Sequence, residues 1–185
     1  MINSLTINKA ALKTKSMYTA AAIFAAVALP QLLHVVGSAV GLGPILGEVF
    51  LPMHLPVLLA GLVAGPAVGI LAGIISPLIS FALTGMPKET MLPFIMVELA
   101  GYGFSAGILS KTEVPSFFKL FIAQISGRIL RFAAIVFAIY ILGNQTVTIA
   151  KSWSFIVNGL PGILLQWALL PVFVSIINKR KGYND

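Results

Sequence analysis

Apolar runs of about twenty residues, each closed by glycine, proline or charge, dictate what this 185-residue chain can fold into. A helix satisfies its backbone hydrogen bonds internally, as hydrocarbon demands, and about 20 residues of it cross a bilayer. The runs lie at Ser16–Gly37, Leu51–Ala64, Ala67–Leu83, Met91–Leu109, Phe117–Leu142 and Ser154–Asn178. The second is short and flanked by proline, and Gly65-Pro66 forces a tight turn after it, because proline cannot continue a helical ladder and glycine accepts a left-handed cap. The chain is 58% hydrophobic and 9% charged, against roughly 25% charged in a soluble domain. The expected fold is an all-α integral membrane protein, a bundle of six transmembrane helices forming one domain over residues 1–185. No internal repeat is visible, so nothing supports a transporter built from inverted repeats.

A net charge of +7 raises the question of nucleic acid. The cations, however, sit at the chain ends and in one short loop rather than along an aromatic-studded face, so no nucleic-acid partner is expected. They read as topology signals. With the N-terminus cytoplasmic, Lys9, Lys13, Lys15, Lys111, Lys119, Lys179, Arg180 and Lys181 fall inside, and only Lys88 and Lys151 fall outside. That follows the positive-inside rule and puts both termini in the cytoplasm. The first span shows no clear cleavage site and is expected to be retained. The chain has no cysteine, which excludes disulfides, thiolate metal sites and cysteine nucleophiles.

Polar groups inside apolar spans are costly and mark function. Glu98 is the only acid deep in a span, and it must pair, be protonated or meet a ligand. Arg128 and Arg131, three apart on the fifth span, offer one partner face. Tyr102 shares the face of Glu98 at i+4, as a ligand contact or a packing aromatic. His54, with Met53 before it, opens the second span near the outer surface, where it can hydrogen-bond a ring substituent or cap its helix. Met86 lies in the turn Thr84-Gly85-Met86-Pro87. Trp153 and Asn158 open the sixth span, as interfacial anchor and backbone partner or as ligand contacts. Metal binding is not expected, because no second His or carboxylate stands at ligand spacing to His54.

Ala21, Ala22, Ala25 and Ala26 place small side chains on the first helix, which lets another helix approach closely, whether from a partner or from within the chain. Common catalytic motifs are missing: there is no phosphate-binding Gly-Lys-Ser/Thr loop, Ser nucleophile elbow or His-Glu-x-x-His helix. No cofactor is expected, and any energy for pumping must come from elsewhere.

These features together resemble the substrate-binding (S) components of energy-coupling factor (ECF) vitamin transporters. The resemblance rests on the six spans, the alanine pattern, the long glycine-containing first loop, the run Leu51-Pro52-Met53-His54-Leu55-Pro56-Val57-Leu58, the turn Thr84-Gly85-Met86-Pro87 and the stretch Glu98-Leu99-Ala100-Gly101-Tyr102-Gly103. It implies a high-affinity vitamin-binding subunit of a bacterial cell membrane, not an enzyme. Its partners would be a transmembrane coupling protein and two ATPases, which supply the missing motor. It also implies that Gly43–Val49, Gly85–Lys88 and Gly143–Trp153 close over a site in the outer half of helices four to six, with Glu98, Tyr102 and Asn158 beneath and the alanine face of helix one toward the coupling protein. Related members handle pyridoxine, hydroxymethylpyrimidine, pantothenate or cobalamin. The residues lean toward a pyridine or pyrimidine: Glu98, His54 and Tyr102 suit a neutral ring with hydroxyl or amino groups, whereas an unpaired Glu98 would repel pantothenate, which would want Arg131 or Arg128 free. The rival of another class is an intramembrane enzyme using Glu98 and His54 as an acid/base pair.

Overall fold

Proline and glycine set most of the element boundaries. The computed structural model describes residues 9–43 and 45–183. Among them run α1 (Lys9–Ala39), α2 (Ile45–Phe50), α3 (His54–Ala64), α4 (Pro66–Thr84), α5 (Leu92–Leu109), α6 (Ser116–Tyr140), α7 (Ile149–Asn158) and α8 (Leu160–Tyr183). No strand occurs among the described residues. Six segments are long and apolar enough to cross a membrane: Ala11–Ala39, Ile45–Ala64, Pro66–Thr84, Leu92–Leu109, Ser116–Tyr140 and Leu160–Ile177. The Gly65 N–H caps α3 on the Gly61 carbonyl, and Pro66 opens α4 where its missing N–H costs nothing. At its other end α4 stops on Gly85, left-handed at φ 70°, whose N–H reaches the Phe81 carbonyl at 2.8 Å.

Three boundaries differ from the sequence reading. Among the described residues the first helix runs from Lys9, so the stretch before the apolar span is a polar helical turn or two. The second half of the glycine-rich loop is helical, and α2 and α3 together form one broken span. Leu51, at φ 48°, makes the break. The sixth span begins at Leu160, not Ser154, because Pro161 has no N–H to extend α7 and starts a new helix instead.

The helix α5 is central: it packs on α4, α6 and α3, while α1 covers α3 and α4, and α8 covers α3, α2 and α6. A side chain on Gly69 or Gly103 would run into the backbone of the facing helix, so α4 and α5 meet at backbone contact. Lipid gives helices no hydrophobic reason to associate, and such close packing is what holds them together. Ala22 and Ala26 belong to this interior, 8% and 0% exposed, beside Val57, Leu58, Ala72 and Leu99. They therefore pack within the chain. Only Ala21, and in part Ala25, of the alanine pattern faces outward.

Between α6 and α8 the interior is zipped by amides. Gln124 donates to Gln166 at 2.8 Å, and the Trp167 indole donates to Gln124 at 2.7 Å. The Gln166 amide also donates to the Leu51 carbonyl at 3.4 Å, tying the break in span two to α8. Each buried amide would be costly without these partners.

Candidate functional site

The helical period of α5 stacks Glu98 and Tyr102 on one face, four residues apart, and both are buried, at 2% and 1% exposure. The Tyr102 hydroxyl donates to Glu98 Oε1 at 2.9 Å. Arg131 Nη1, from α6, donates to Oε2 at 2.6 Å. His54, the first residue of α3, brings Nε2 to 3.8 Å from the same oxygen, and its ring tilts against Tyr102 at a centroid distance of 5.4 Å. Gly127 makes room for this arrangement, since a side chain there would enter the Tyr102 ring. Arg128 lies one turn before Arg131, close enough to act on Glu98 and Tyr102. Among the described residues no group hydrogen-bonds to His54 Nδ1, although His54 is only 7% exposed.

A cavity of about 210 Å³ adjoins this cluster through His54 and Arg131. Pro30, Gln31 and His34 of α1 form one wall, with Gly47 and Glu48 of α2. The left-handed turn at Leu51 brings Leu51, Pro52, Met53 and His54 to another. Ser80 of α4, the turn Met86-Pro87-Lys88, then Met91 and Ile95 complete it. The walls are mostly Pro, Met, Leu and Ile, interrupted by a few polar side chains, which is the makeup of a small-molecule site. Three methionines give it a soft, polarizable surface for a ring. No group of three His, Asp or Glu side chains able to hold a metal converges among the described residues.

The structure thus brings Met53, His54, Met86 and Arg131 to one cavity and sets Glu98 and Tyr102 behind them as neighbours of His54. It does not bring Trp153 or Asn158 there. Both lie on α7, a separate helix, and Trp153 is 68% exposed. The cavity also sits among spans one to four, with Arg131 of span five, rather than in helices four to six. Among its described side chains, the Gly143–Trp153 segment contributes none to the lining. Glu98 does not repel an anion as an unpaired carboxylate would, because it is paired with Arg131.

Gln31, His34 and Ser80 were absent from the sequence-derived site, whereas Lys88, Gly47 and Glu48 lie in the loops expected to close over it. A signal existed for the first two: they stand three apart in an otherwise apolar span, hence on one face. Ser80 carried none, since serine bonds its own helix backbone readily.

Residues 15–174 match the family described as ECF transporter, substrate-specific component. Comparisons with curated proteins and with solved structures found no match.

Proposed function

The chain belongs to the substrate-specific components of ECF transporters, a family of multi-pass membrane transport subunits rather than enzymes, and on that premise we propose that it captures a small ring-shaped vitamin or vitamin precursor. The observation that carries this reading is the cavity of about 210 Å³ beside His54, walled mostly by apolar side chains with a few polar groups, the makeup of a small-molecule site. Its methionine and proline walls suit the faces of a pyridine or pyrimidine, and Gln31, His34, His54 and Ser80 suit ring substituents. One observation favours a second reading, an anion of pantothenate type: the Glu98 charge is taken by Arg131, and Lys88 lines the cavity.

The chain carries no nucleotide-binding motif, so transport is driven by a coupling protein and two ATPases of the ECF module in a bacterial cell membrane. Both termini face the cytoplasm and the cavity faces outward, as the distribution of Lys and Arg favours. With Ala22 and Ala26 inside the bundle, docking on the coupling protein falls to the outer flank of α1 around Ala21 and Ala25.

Mass spectrometry of the small molecule that co-purifies with the protein from its native membrane tests the reading, followed by calorimetric titration of that compound. Stoichiometric binding of a pyridine or pyrimidine without turnover supports it. A bound pantothenate-like acid selects the second reading, and conversion of the compound by the purified chain overturns both.

A further inference from the structure

Resting on the reading of the cavity as the capture site, we propose that Gly162 and Gln166 of α8 are positioning residues for it: they seat the helix break at Leu51 and so hold in place the wall formed by Leu51, Pro52, Met53 and His54. Neither α8 residue lines the cavity, whereas all four residues of the turn do. The His54 N–H donates to the Leu51 carbonyl at 3.1 Å, closing a turn with Pro52 and Met53 at its centre. The same carbonyl accepts from the Gln166 amide at 3.4 Å. One acceptor thus joins the local turn to α8.

The turn constrains its central residues, but not Leu51, which stands at φ 48°. A left-handed backbone crowds the Cβ of any residue but glycine, and the residue before a proline prefers extended backbone. Such a conformation persists only where its surroundings over-determine it. The helix α8 supplies them from one face, on which Gly162 and Gln166 stand one turn apart, both buried. A Cβ on Gly162 would lie 2.6 Å from the Phe50 carbonyl oxygen, so the end of α2 rests on the α8 backbone itself. Gln166 then reaches the next residue, Leu51. Its amide is oriented in turn, because its oxygen accepts from Gln124 at 2.8 Å while the Gln124 oxygen accepts from the Trp167 indole at 2.7 Å. The chain of donors runs from Trp167 through Gln124 and Gln166 and ends on the cavity wall. Released from this seat, Leu51 returns to the extended backbone that proline favours after it, and α2 moves with it. Gly47 and Glu48 of α2 also line the cavity, so two of its walls shift together.

The test is pulsed electron paramagnetic resonance in lipid nanodiscs, on a chain that has no cysteine of its own. Spin labels on Ile45→Cys of α2 and Leu83→Cys of α4 report the position of α2, and a second pair, Val36→Cys of α1 with Leu83→Cys, reports the rest of the bundle; all three sites are exposed. The triple variant Gln124→Leu, Gln166→Leu, Trp167→Phe removes the whole donor chain and strands no amide. Gly162→Ala disturbs the seat separately, with one methyl group against Phe50. Each should shift or broaden the Ile45–Leu83 distances and leave the Val36–Leu83 distances as they are. A change in both pairs, or in neither, overturns the inference, since a merely structural role would loosen the bundle as a whole or leave α2 in place. Pyridoxine and 4-amino-5-hydroxymethyl-2-methylpyrimidine are then titrated into the native protein and the triple variant. If the seated form falls to about one tenth of the molecules, apparent affinity falls about tenfold. Weakened binding in the variant supports the inference, and equal affinity overturns it. If neither probe binds the native protein, the ring-vitamin reading falls, and the two distance pairs still decide whether α8 seats the break.

Discussion

Arg131 Nη1 and Glu98 Oε2 stand 2.6 Å apart inside the apolar bundle, joining α6 to α5 by a charge pair that neither helix can afford to leave incomplete. Attraction between two such groups offsets their desolvation only while both are present, and removing one partner of a buried pair costs about 3–5 kcal/mol. Arg131→Met should therefore lower the melting temperature of the purified protein sharply. The double variant Glu98→Gln with Arg131→Met should melt above Arg131→Met alone, because it removes the stranded charge. Additive losses in the double variant would show that the two groups act independently.

The close approach of α4 and α5 gives a second expectation. Gly103→Ala places a methyl group against the Gly69 backbone, where no flexible side chain can yield. Overpacking of this kind typically costs about 1–3 kcal/mol. Phe104→Ala, next along the helix but exposed, should change little. Equal melting temperatures for the two variants would mean that the helices separate freely at this point.

Much of the bundle was legible because the bilayer imposes a length and an apolar composition on every crossing, and glycine-proline pairs mark where crossings stop. Glu98 and Tyr102 were legible for the same reason, as polar groups where hydrocarbon tolerates none. The helix break at Leu51 was not, since leucine gives no warning of a positive φ and the break depends on packing across to Gln166. Nor was the inward turn of Ala22 and Ala26: small residues suit any close helix contact, and sequence does not say whether the approaching helix belongs to the same chain. Trp153 and Asn158 lie apart from the cavity because Pro161, three residues past Asn158, ends α7 before the span begins.

Orientation is open to labelling, and the cysteine-free chain is a clean background for it. Gln145 and Thr112 are both exposed in connections between spans. On the positive-inside assignment, Gln145→Cys should react with an impermeant thiol reagent on intact cells and Thr112→Cys only after lysis. The reverse pattern would put the cavity on the cytoplasmic side.

Among the described side chains of α7, Ile149, Trp153, Ile156 and Val157 share one side, and Ser154 and Asn158 the other. Ile149, Trp153 and Val157 are exposed, as expected of a helix resting in the membrane interface with its aromatic residue among the headgroups. In a Trp167→Phe background Trp153 is the only tryptophan. Lipids brominated near the glycerol should quench its fluorescence more than lipids brominated at the chain ends. Quenching by aqueous iodide alone would lift α7 off the bilayer.

The separation of α7 from the cavity leads to the sharpest mutational contrast. His54 and Met86 supply part of the cavity wall, and Trp153 and Asn158 stand outside it. Loss of one hydrogen bond to a bound ligand costs about 0.5–1.5 kcal/mol, or roughly twofold to tenfold in affinity. His54→Ala should weaken capture of the co-purifying compound by at least that much, and Met86→Ala should weaken it through lost contact with the ring. Trp153→Ala and Asn158→Ala should leave the dissociation constant within about twofold of the unmodified protein. Calorimetric titration of all four, beside melting curves that confirm folding, checks the assignment. A large loss for Trp153→Ala with an unchanged His54→Ala would move the site from the cavity among α1, α3, α4 and α5 to the surface around α7.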